Sequence, residues 1–389
     1  MGACPSHRAP AGRSFAAPAA PAHPRRPSVA AFPRPPVTPS SPQSRTVRQE
    51  NPVALPSPPP AADSQEPVAD VVCVGETMAV LSPPDARPLA EQPALSMAIG
   101  GAESNVACGL AGLGHRAAWL SRLGDDPFAR RILAELTARG VDVSAVETDP
   151  ERPTGVYFKD PGPDRTRTHY YRGGSAASRM GPELAGRPVL RRARVVHLSG
   201  VAAAVSDSCA RLLEMLLLGR EGRAARGPVV SFDVNHRPAL WRDRGTDAAQ
   251  SLLALARAAD IVFVGRDEAE ELWGTARPDD IAALLAPAPV VVVKDAEHGA
   301  TSYAEGVRTF VPSLPTKVVE PVGAGDAFAA GYLAGVLEDR DERSRLRLGH
   351  LAAAAALRTR DDVPVMPTRT ETDRCLALDD DAWAAPAPR

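Results

Sequence analysis

Five short apolar runs, mostly β-branched, constrain this chain more than any other feature: Val71-Val72-Cys73-Val74, Arg194-Val195-Val196-His197-Leu198, Val229-Val230-Ser231-Phe232, Ile261-Val262-Phe263-Val264 and Val290-Val291-Val292-Val293. They are near-continuously apolar rather than alternating, as expected of strands covered on both faces inside a parallel sheet. Helical stretches fall between them, such as Phe128 to Arg139 closed by Gly140 and Ser208 to Leu218 closed by Gly219. The alternation predicts an α/β fold, a doubly wound and mainly parallel sheet with helices on both faces. Ligands of such sheets gather at the carboxyl ends of the strands. Two segments break the pattern, Ala79 to Ile99 and Gly155 to Arg172, the second with a turn at Pro161-Gly162-Pro163-Asp164. Both read as extended hairpin-like pieces, and together they can form a small β-sheet that covers a site as a lid.

Residues 1–68 form a separate class of sequence, with 17 of the chain's 40 prolines before Val68 and no acidic residue before Glu50. Such a stretch cannot build a core or a ladder and is expected to be a disordered extension. Its arginines imitate an organelle transit peptide but lack an amphipathic helical period, so the plainer reading, an unstructured extension, is preferred. The expected layout is one globular domain over 69–370, with the lid from about 77–99 and 154–173, and a C-terminal tail over 371–389. A net charge of −2 gives no electrostatic case for nucleic acid or an anionic membrane as partner. The five cysteines, Cys4, Cys73, Cys108, Cys209 and Cys375, form no C-x-x-C pair, which argues against zinc and a disulfide framework. No apolar run reaches the length of a membrane span, and the default compartment is a reducing cytoplasm.

Val318-Val319-Glu320-Pro321-Val322-Gly323-Ala324-Gly325-Asp326-Ala327-Phe328 passes from a β-branched pair through a glycine-bracketed turn into a small-residue helical stretch. Glycines at 323 and 325 allow a tight turn and close approach to a ligand, and free N–H groups at the helix start would face a phosphate. An acid at that place repels a resting phosphate, so Asp326 makes sense as a base that takes a proton from an attacking hydroxyl. Acids are also favoured at helix N-termini for structural reasons alone, and the segment by itself does not separate the two readings. The lysines are Lys159, Lys294 and Lys317, none beside these glycines, so any phosphate chemistry here does not use a P-loop.

A second glycine element, Ile99-Gly100-Gly101-Ala102-Glu103-Ser104-Asn105-Val106-Ala107, is followed by Leu113-Gly114 and Leu123-Gly124-Asp125-Asp126. Together with Gly323 to Asp326 it resembles the two signatures of the ribokinase (PfkB-type) carbohydrate kinases, over roughly Val71 to Pro364. The resemblance implies a ribokinase-like kinase domain with a β-sheet lid that transfers the γ-phosphoryl of ATP to a sugar hydroxyl with Mg2+. It makes Asp326 the base and Gly323, Ala324 and Gly325 the anion hole, with Gly100, Gly101 and Asn105 on the sugar hydroxyls. Such transfer is mostly positioning and charge neutralisation, which backbone donors and a metal ion can supply.

Within the family, Thr168-His169-Tyr170-Tyr171-Arg172-Gly173-Gly174-Ser175-Ala176-Ala177-Ser178 and Phe232-Asp233-Val234-Asn235-His236-Arg237-Pro238-Ala239-Leu240-Trp241 resemble segments of 2-keto-3-deoxygluconate kinases. Tyr170 and Arg172 share one face of a strand, and Arg237 ends a core strand. A planar cation suits a carboxylate or carbonyl, so the implied substrate is a 2-keto-3-deoxy sugar acid. Read without the family, both arginines can equally be solvated surface residues. Weaker implications place Glu76 and Tyr157 on the substrate, and Lys294 and Gly299 on the nucleotide.

The chain also departs from the family pattern. The Asn-x-x-Glu element that helps hold magnesium is Gly265-Arg266-Asp267-Glu268 here, which keeps Glu268 as a metal contact through water and replaces the Asn. Two alternatives stand beside the sugar-acid kinase: a kinase for a neutral sugar such as fructose or ribose, and a non-catalytic sugar-binding relative. By resemblance, lid sheets can pair two copies into a homo-oligomer.

Overall fold

The computed structural model describes residues 68–385, apart from 86, 163–165, 221–226 and 243. The proline-rich extension and the Pro163-Asp164 half of the expected turn lie outside the described residues. In chain order the strands are β1 Ala69–Val74, β2 Met78–Ser82, β3 Ser96–Gly100, β4 Ala117–Leu120, β5 Arg122–Gly124, β6 Glu147–Asp149, β7 Val156–Asp160, β8 Arg167–Tyr171, β9 Ala193–Ser199, β10 Val229–Asp233, β11 Ile261–Gly265, β12 Val290–Asp295, β13 Gly299–Ala304 and β14 Val307–Pro312. Each of the five apolar runs is a strand of one eight-stranded sheet, ordered β14-β13-β12-β11-β10-β9-β1-β4. Its pairs from β4 to β12 are parallel, and β13 and β14 close one edge as antiparallel hairpins.

Alternate residues of one strand serve two cores. Val72 and Val74 pack on one face with Leu212, Leu213, Leu252 and Leu255, while Val71 and Cys73 pack on the other with Val106, Leu110, Ile132 and Leu333. That is why the runs show no polar alternation: these strands are covered on both faces. The helices expected over 128–139 and 208–218 are Pro127–Ala138 and Asp207–Leu217, each opened by a side-chain cap, from Asp126 and Ser206 respectively. Among the described residues no helix is long and apolar enough to cross a membrane.

The two segments that broke the alternation form a separate four-stranded sheet, ordered β3-β2-β7-β8, as the lid reading anticipates. Its Met78, Val80 and Tyr157 make a small apolar cluster of their own. The stretch after 370, expected as a tail, is a correction. Arg369–Leu376 and Asp380–Ala384 are helical, and Trp383 is buried with its indole N–H donating to the Pro312 carbonyl at 2.9 Å. The Arg347 guanidinium stacks 4.7 Å from the Trp383 ring centroid and donates to the Leu376 carbonyl. These anchors are single residues far apart in sequence, so they left no periodic signal in it.

Candidate active site

Strand progression reverses between β1 and β9, since the chain moves outward to β4 on one side and to β10, β11 and β12 on the other. Crevices open at such reversals, beyond the carboxyl ends of the strands. Glu76 follows β1, and Ser199, Asp233, Gly265 and Lys294 lie at the carboxyl ends of β9, β10, β11 and β12. The parallel sheet thus delivers one polar group after another to the same edge.

Above that edge starts the Ala324–Leu337 helix, with Gly323 as its N-cap at φ +84°. A side chain at 323 would be strained by that conformation, and its Cβ would lie 2.6 Å from the Asp362 carbonyl oxygen. The first i to i−4 bond of the helix is Ala327 N–H to Gly323 O at 2.9 Å, so the Gly325 and Asp326 amides precede the helical ladder. Half-buried Asp326 sits in this first turn. Its Oδ2 accepts from Asn105 Nδ2 at 2.8 Å and its Oδ1 from Asn235 Nδ2 at 3.5 Å. Removal from water pushes its carboxyl up to about 7, against the Asn105 hydrogen bond and the positive charges of Arg237 and Lys294, which lower it. A carboxylate with affinity for a proton near neutrality, fixed by two amides beside a row of N–H donors, can accept a proton from a hydroxyl placed between them.

Asn105 therefore holds the base through its Nδ2, while its buried Oδ1 makes no hydrogen bond among the described residues. Gly101 is the N-cap of its helix, Ala102–Gly112, and packs so tightly on the Glu76 backbone carbonyl that a Cβ would collide with it. Gly100, at the end of β3, lies beneath the Tyr157 hydroxyl and the Asp362 carboxylate.

Other expected sugar residues turn toward one another. Buried Arg172 forms an ion pair with buried Glu76, whose Oε1 accepts from Ser175 Oγ at 2.6 Å. Tyr157 donates its hydroxyl to Asp362 at 2.6 Å, and Lys159 donates to the other Asp362 oxygen at 2.7 Å. Burial, with Asp362 beside it, raises the Tyr157 phenol far above its ordinary range, so it stays a donor. Tyr170 is exposed on β8 with its ring 5.5 Å from that of Tyr157. Exposed Arg237 caps the short helix Pro238–Trp241, and among the described residues it forms no ion pair with a carboxylate. Thus Arg172 is paired with a carboxylate, whereas Arg237, which donates to the His236 carbonyl, is not paired with one among the described residues.

On the side expected for nucleotide, Lys294 donates to Asp233 Oδ2 at 2.7 Å, and its Nζ is 3.5 Å from where a Cβ on Gly325 would sit. Gly299 opens β13 at φ +139°, packed on the Val311 carbonyl, a conformation that the hairpin itself requires. Glu268 uses its two oxygens to accept from the Gly265 and His236 amides at 2.8 and 3.0 Å, and burial raises its carboxyl. Among the described residues no group of three metal-ligating side chains forms. Mg2+ needs no such cage, because it keeps waters and binds one or two carboxylates plus phosphate oxygens. Asp233 and Glu268, hard oxygen donors with lone pairs left over, fit a magnesium–phosphate group held through water.

Three contributors escaped the sequence reading. Asp362 joins the lid to the anion-hole glycine, yet its sequence context, Asp361-Asp362-Val363-Pro364 after a helix, reads as a solvated acidic loop. Glu103 is buried under Gly75, accepts from Ser199 Oγ at 2.6 Å and is raised to about 7, chiefly by burial. An acid within an apolar first helical turn was its only signal. Asn235 stood in a quoted motif without a role, and its φ of +38° turns the chain beside Asp326.

Residues 68–369 match the description "pfkB family carbohydrate kinase". A 2-dehydro-3-deoxygluconokinase of Thermoproteus tenax is 33% identical over 316 residues, covering 80% of this chain and 95% of that protein. A 5-dehydro-2-deoxygluconokinase of Geobacillus kaustophilus is 30% identical over 324 residues, covering 81% and 95%. The crystal structure of a PfkB protein from Polaromonas sp. superposes with a TM-score of 0.70 at 34% identity, covering 78% of this chain and 99% of that one. With both glycine signatures meeting at one carboxylate and relatives aligned nearly end to end, this chain belongs to the pfkB family of carbohydrate kinases, phosphotransferases that act on an alcohol group.

Proposed function

We propose that this kinase phosphorylates the terminal hydroxyl of a 2-keto-3-deoxy sugar acid, converting 2-keto-3-deoxygluconate to its 6-phosphate with ATP as donor. The observation that carries the chemistry is Asp326, held by Asn105 at 2.8 Å in the first turn of a helix whose Gly325 and Asp326 amides precede the helical ladder. Asp326 takes the hydroxyl proton as the sugar oxygen attacks, and the Gly325 and Asp326 amides receive charge developing on the transferred phosphoryl. Gly323 and Ala324 set the path of the chain into that cradle. Asp233 and Glu268 would hold Mg2+ through its waters, and the ion supplies neutralisation of phosphate charge when bound.

Arg237 supports the acid substrate, because it is a cation near Asp326 without an ion-pair partner among the described residues. A relative at 33% identity that bears the name 2-dehydro-3-deoxygluconokinase supports it too. The pairing of Arg172 with Glu76 and of Lys159 with Asp362 favours a second reading, a neutral sugar, since both cations already have a carboxylate as ion-pair partner. A coupled ADP-release assay with 2-keto-3-deoxygluconate, 5-dehydro-2-deoxygluconate and fructose separates the two. The acid reading expects 2-keto-3-deoxygluconate to give the highest kcat/KM. It also expects Arg237→Ala to raise KM for that substrate about tenfold or more, as loss of a charge-assisted contact implies. Preference for fructose, or an unchanged KM in Arg237→Ala, would remove it.

A further inference from the structure

Asp362 belongs to neither glycine signature, yet it touches three parts of the site at once. It lies in the loop after the Glu342–Leu357 helix, with its side chain 4% exposed. Both carboxylate oxygens are taken by the lid: Tyr157 and Lys159, two positions apart on one face of β7, donate to them at 2.6 and 2.7 Å. Gly100, at the end of lid strand β3, leaves room for this contact, since a Cβ there would lie 2.7 Å from the same carboxylate and collide with the Tyr157 hydroxyl. The Asp362 main chain in turn backs the cradle, because a Cβ on Gly323 would lie 2.6 Å from its carbonyl oxygen and 3.4 Å from its Cα. The Val319 amide donates to the Leu357 carbonyl at 2.7 Å, so the segment leading into the cradle is tied to the one leading to Asp362. Buried Val363 belongs to the same apolar core as Ile99 and Phe328, which anchors the loop in the main domain.

A buried ion pair adds little net stability, because desolvation offsets much of its attraction, but it fixes geometry, since a half-made pair leaves a charge uncompensated. A cavity of about 180 Å³ adjoins this pair, bounded by Val80, Ser82 and Ala98 of the lid and by Arg360 and Asp361 of the loop. It gives water a route to both charges as the strand lifts, so the contact can part without stranding either charge in an apolar place. We propose that Lys159 and Asp362 are positioning residues that couple the lid to the cradle. When the lid closes, β7 seats the Asp362 carboxylate, and the Asp362 main chain then holds the turn at Gly323 in the shape that receives the phosphoryl group. With the lid raised the turn loses that backing, which keeps ATP from reacting with water before a sugar is enclosed. The proposal rests on the kinase reading above and on no particular sugar.

The test compares wild type with Lys159→Met, Lys159→Arg and the double variant Lys159→Met/Asp362→Asn. The double variant removes both charges, so no buried carboxylate is left without its cation to disturb folding. Hydrogen exchange without any ligand reads the coupling, because the Val319, Ala324 and Ala327 amides are hydrogen-bonded around the cradle turn. Peptides covering 319–327 are expected to exchange about tenfold faster in both methionine variants, while those covering β10 and β11 stay as in wild type. Lys159→Arg, which keeps the cation, is expected to stay within about threefold of wild type. On whichever sugar wild type turns over, kcat is expected to fall about tenfold in both methionine variants with KM for that sugar held within about threefold. The double variant should be no slower than Lys159→Met, since the two residues act as one unit. Exchange over 319–327 within about twofold of wild type in the double variant would overturn the proposal. So would a raised sugar KM with kcat retained, which marks a sugar contact instead. A wrong sugar shows up in the substrate screen of wild type and leaves the ligand-free exchange intact, so the two ideas fail separately.

Discussion

Replacing Asp326 by Asn should make the protein more stable and nearly inactive, with both effects set by one number. The Asp326 carboxyl rises from an ordinary 3.8 to about 7, chiefly through removal from water. The native state therefore holds this proton more firmly than the unfolded chain does. Below pH 4 both states are protonated and the site costs nothing. As pH rises through the window from about 4 to about 7, native stability falls, and above it the full cost is present. A shift of that size corresponds to about 4 kcal/mol, and water reaching a half-buried group reduces it to about 2. Asn mimics the protonated acid and can still accept from Asn105 through its carbonyl oxygen. Urea unfolding should therefore find Asp326→Asn about 2–4 kcal/mol more stable than wild type at pH 8, with the gap closing toward pH 4. ADP release by the same variant should drop about 10²- to 10⁴-fold, the usual worth of a general base. Wild-type kcat/KM should lose about tenfold per unit below pH 7, as one ionising group requires. An Asn variant no more stable than wild type at pH 8, or a wild-type rate flat from pH 8 to pH 6, would refute the reasoning.

Gly323→Ala places a Cβ at φ +84° and 2.6 Å from the Asp362 carbonyl, so the cradle must shift; steady-state kinetics should show kcat down about a hundredfold, the cost of misplacing reacting groups by an ångström. Unaltered kcat would show that the glycine cradle does not set the transfer. Glu76→Gln leaves buried Arg172 without its carboxylate and should cost about 3–5 kcal/mol in thermal or urea unfolding. Glu76→Gln/Arg172→Met should recover most of that loss, and a double variant no better than the single would mean the pair is not the source.

The apolar runs were legible because burial on both faces leaves a local mark that nothing else imitates. Val290 to Val293 could hardly be anything but an interior strand, and it is one. The glycine signatures were legible for a similar reason, since a backbone at φ +84° or packed against another carbonyl tolerates little else. What each polar side chain touches was not legible. Asn105 and Asp326 are 221 residues apart and meet at 2.8 Å, a contact that no local pattern announces. Arg172, expected on a substrate carboxylate, is paired with Glu76, which lies 96 positions earlier on another element. Asp362 carried no local signature at all, yet it ties the lid strand β7 to the turn at Gly323.

Sequence alone determined the layers, the lid segments, the two glycine turns and the acid that sits in one of them. All of these follow from short-range demands of backbone conformation and apolar burial. Tertiary structure decided which charges remain available to a ligand. It paired Arg172 with Glu76 and Lys159 with Asp362, left Arg237 without a carboxylate among the described residues, and set Lys294 against the cradle. Ion pairing depends on distances between strand ends that come together only when the sheet forms, and no local pattern of residues encodes those distances.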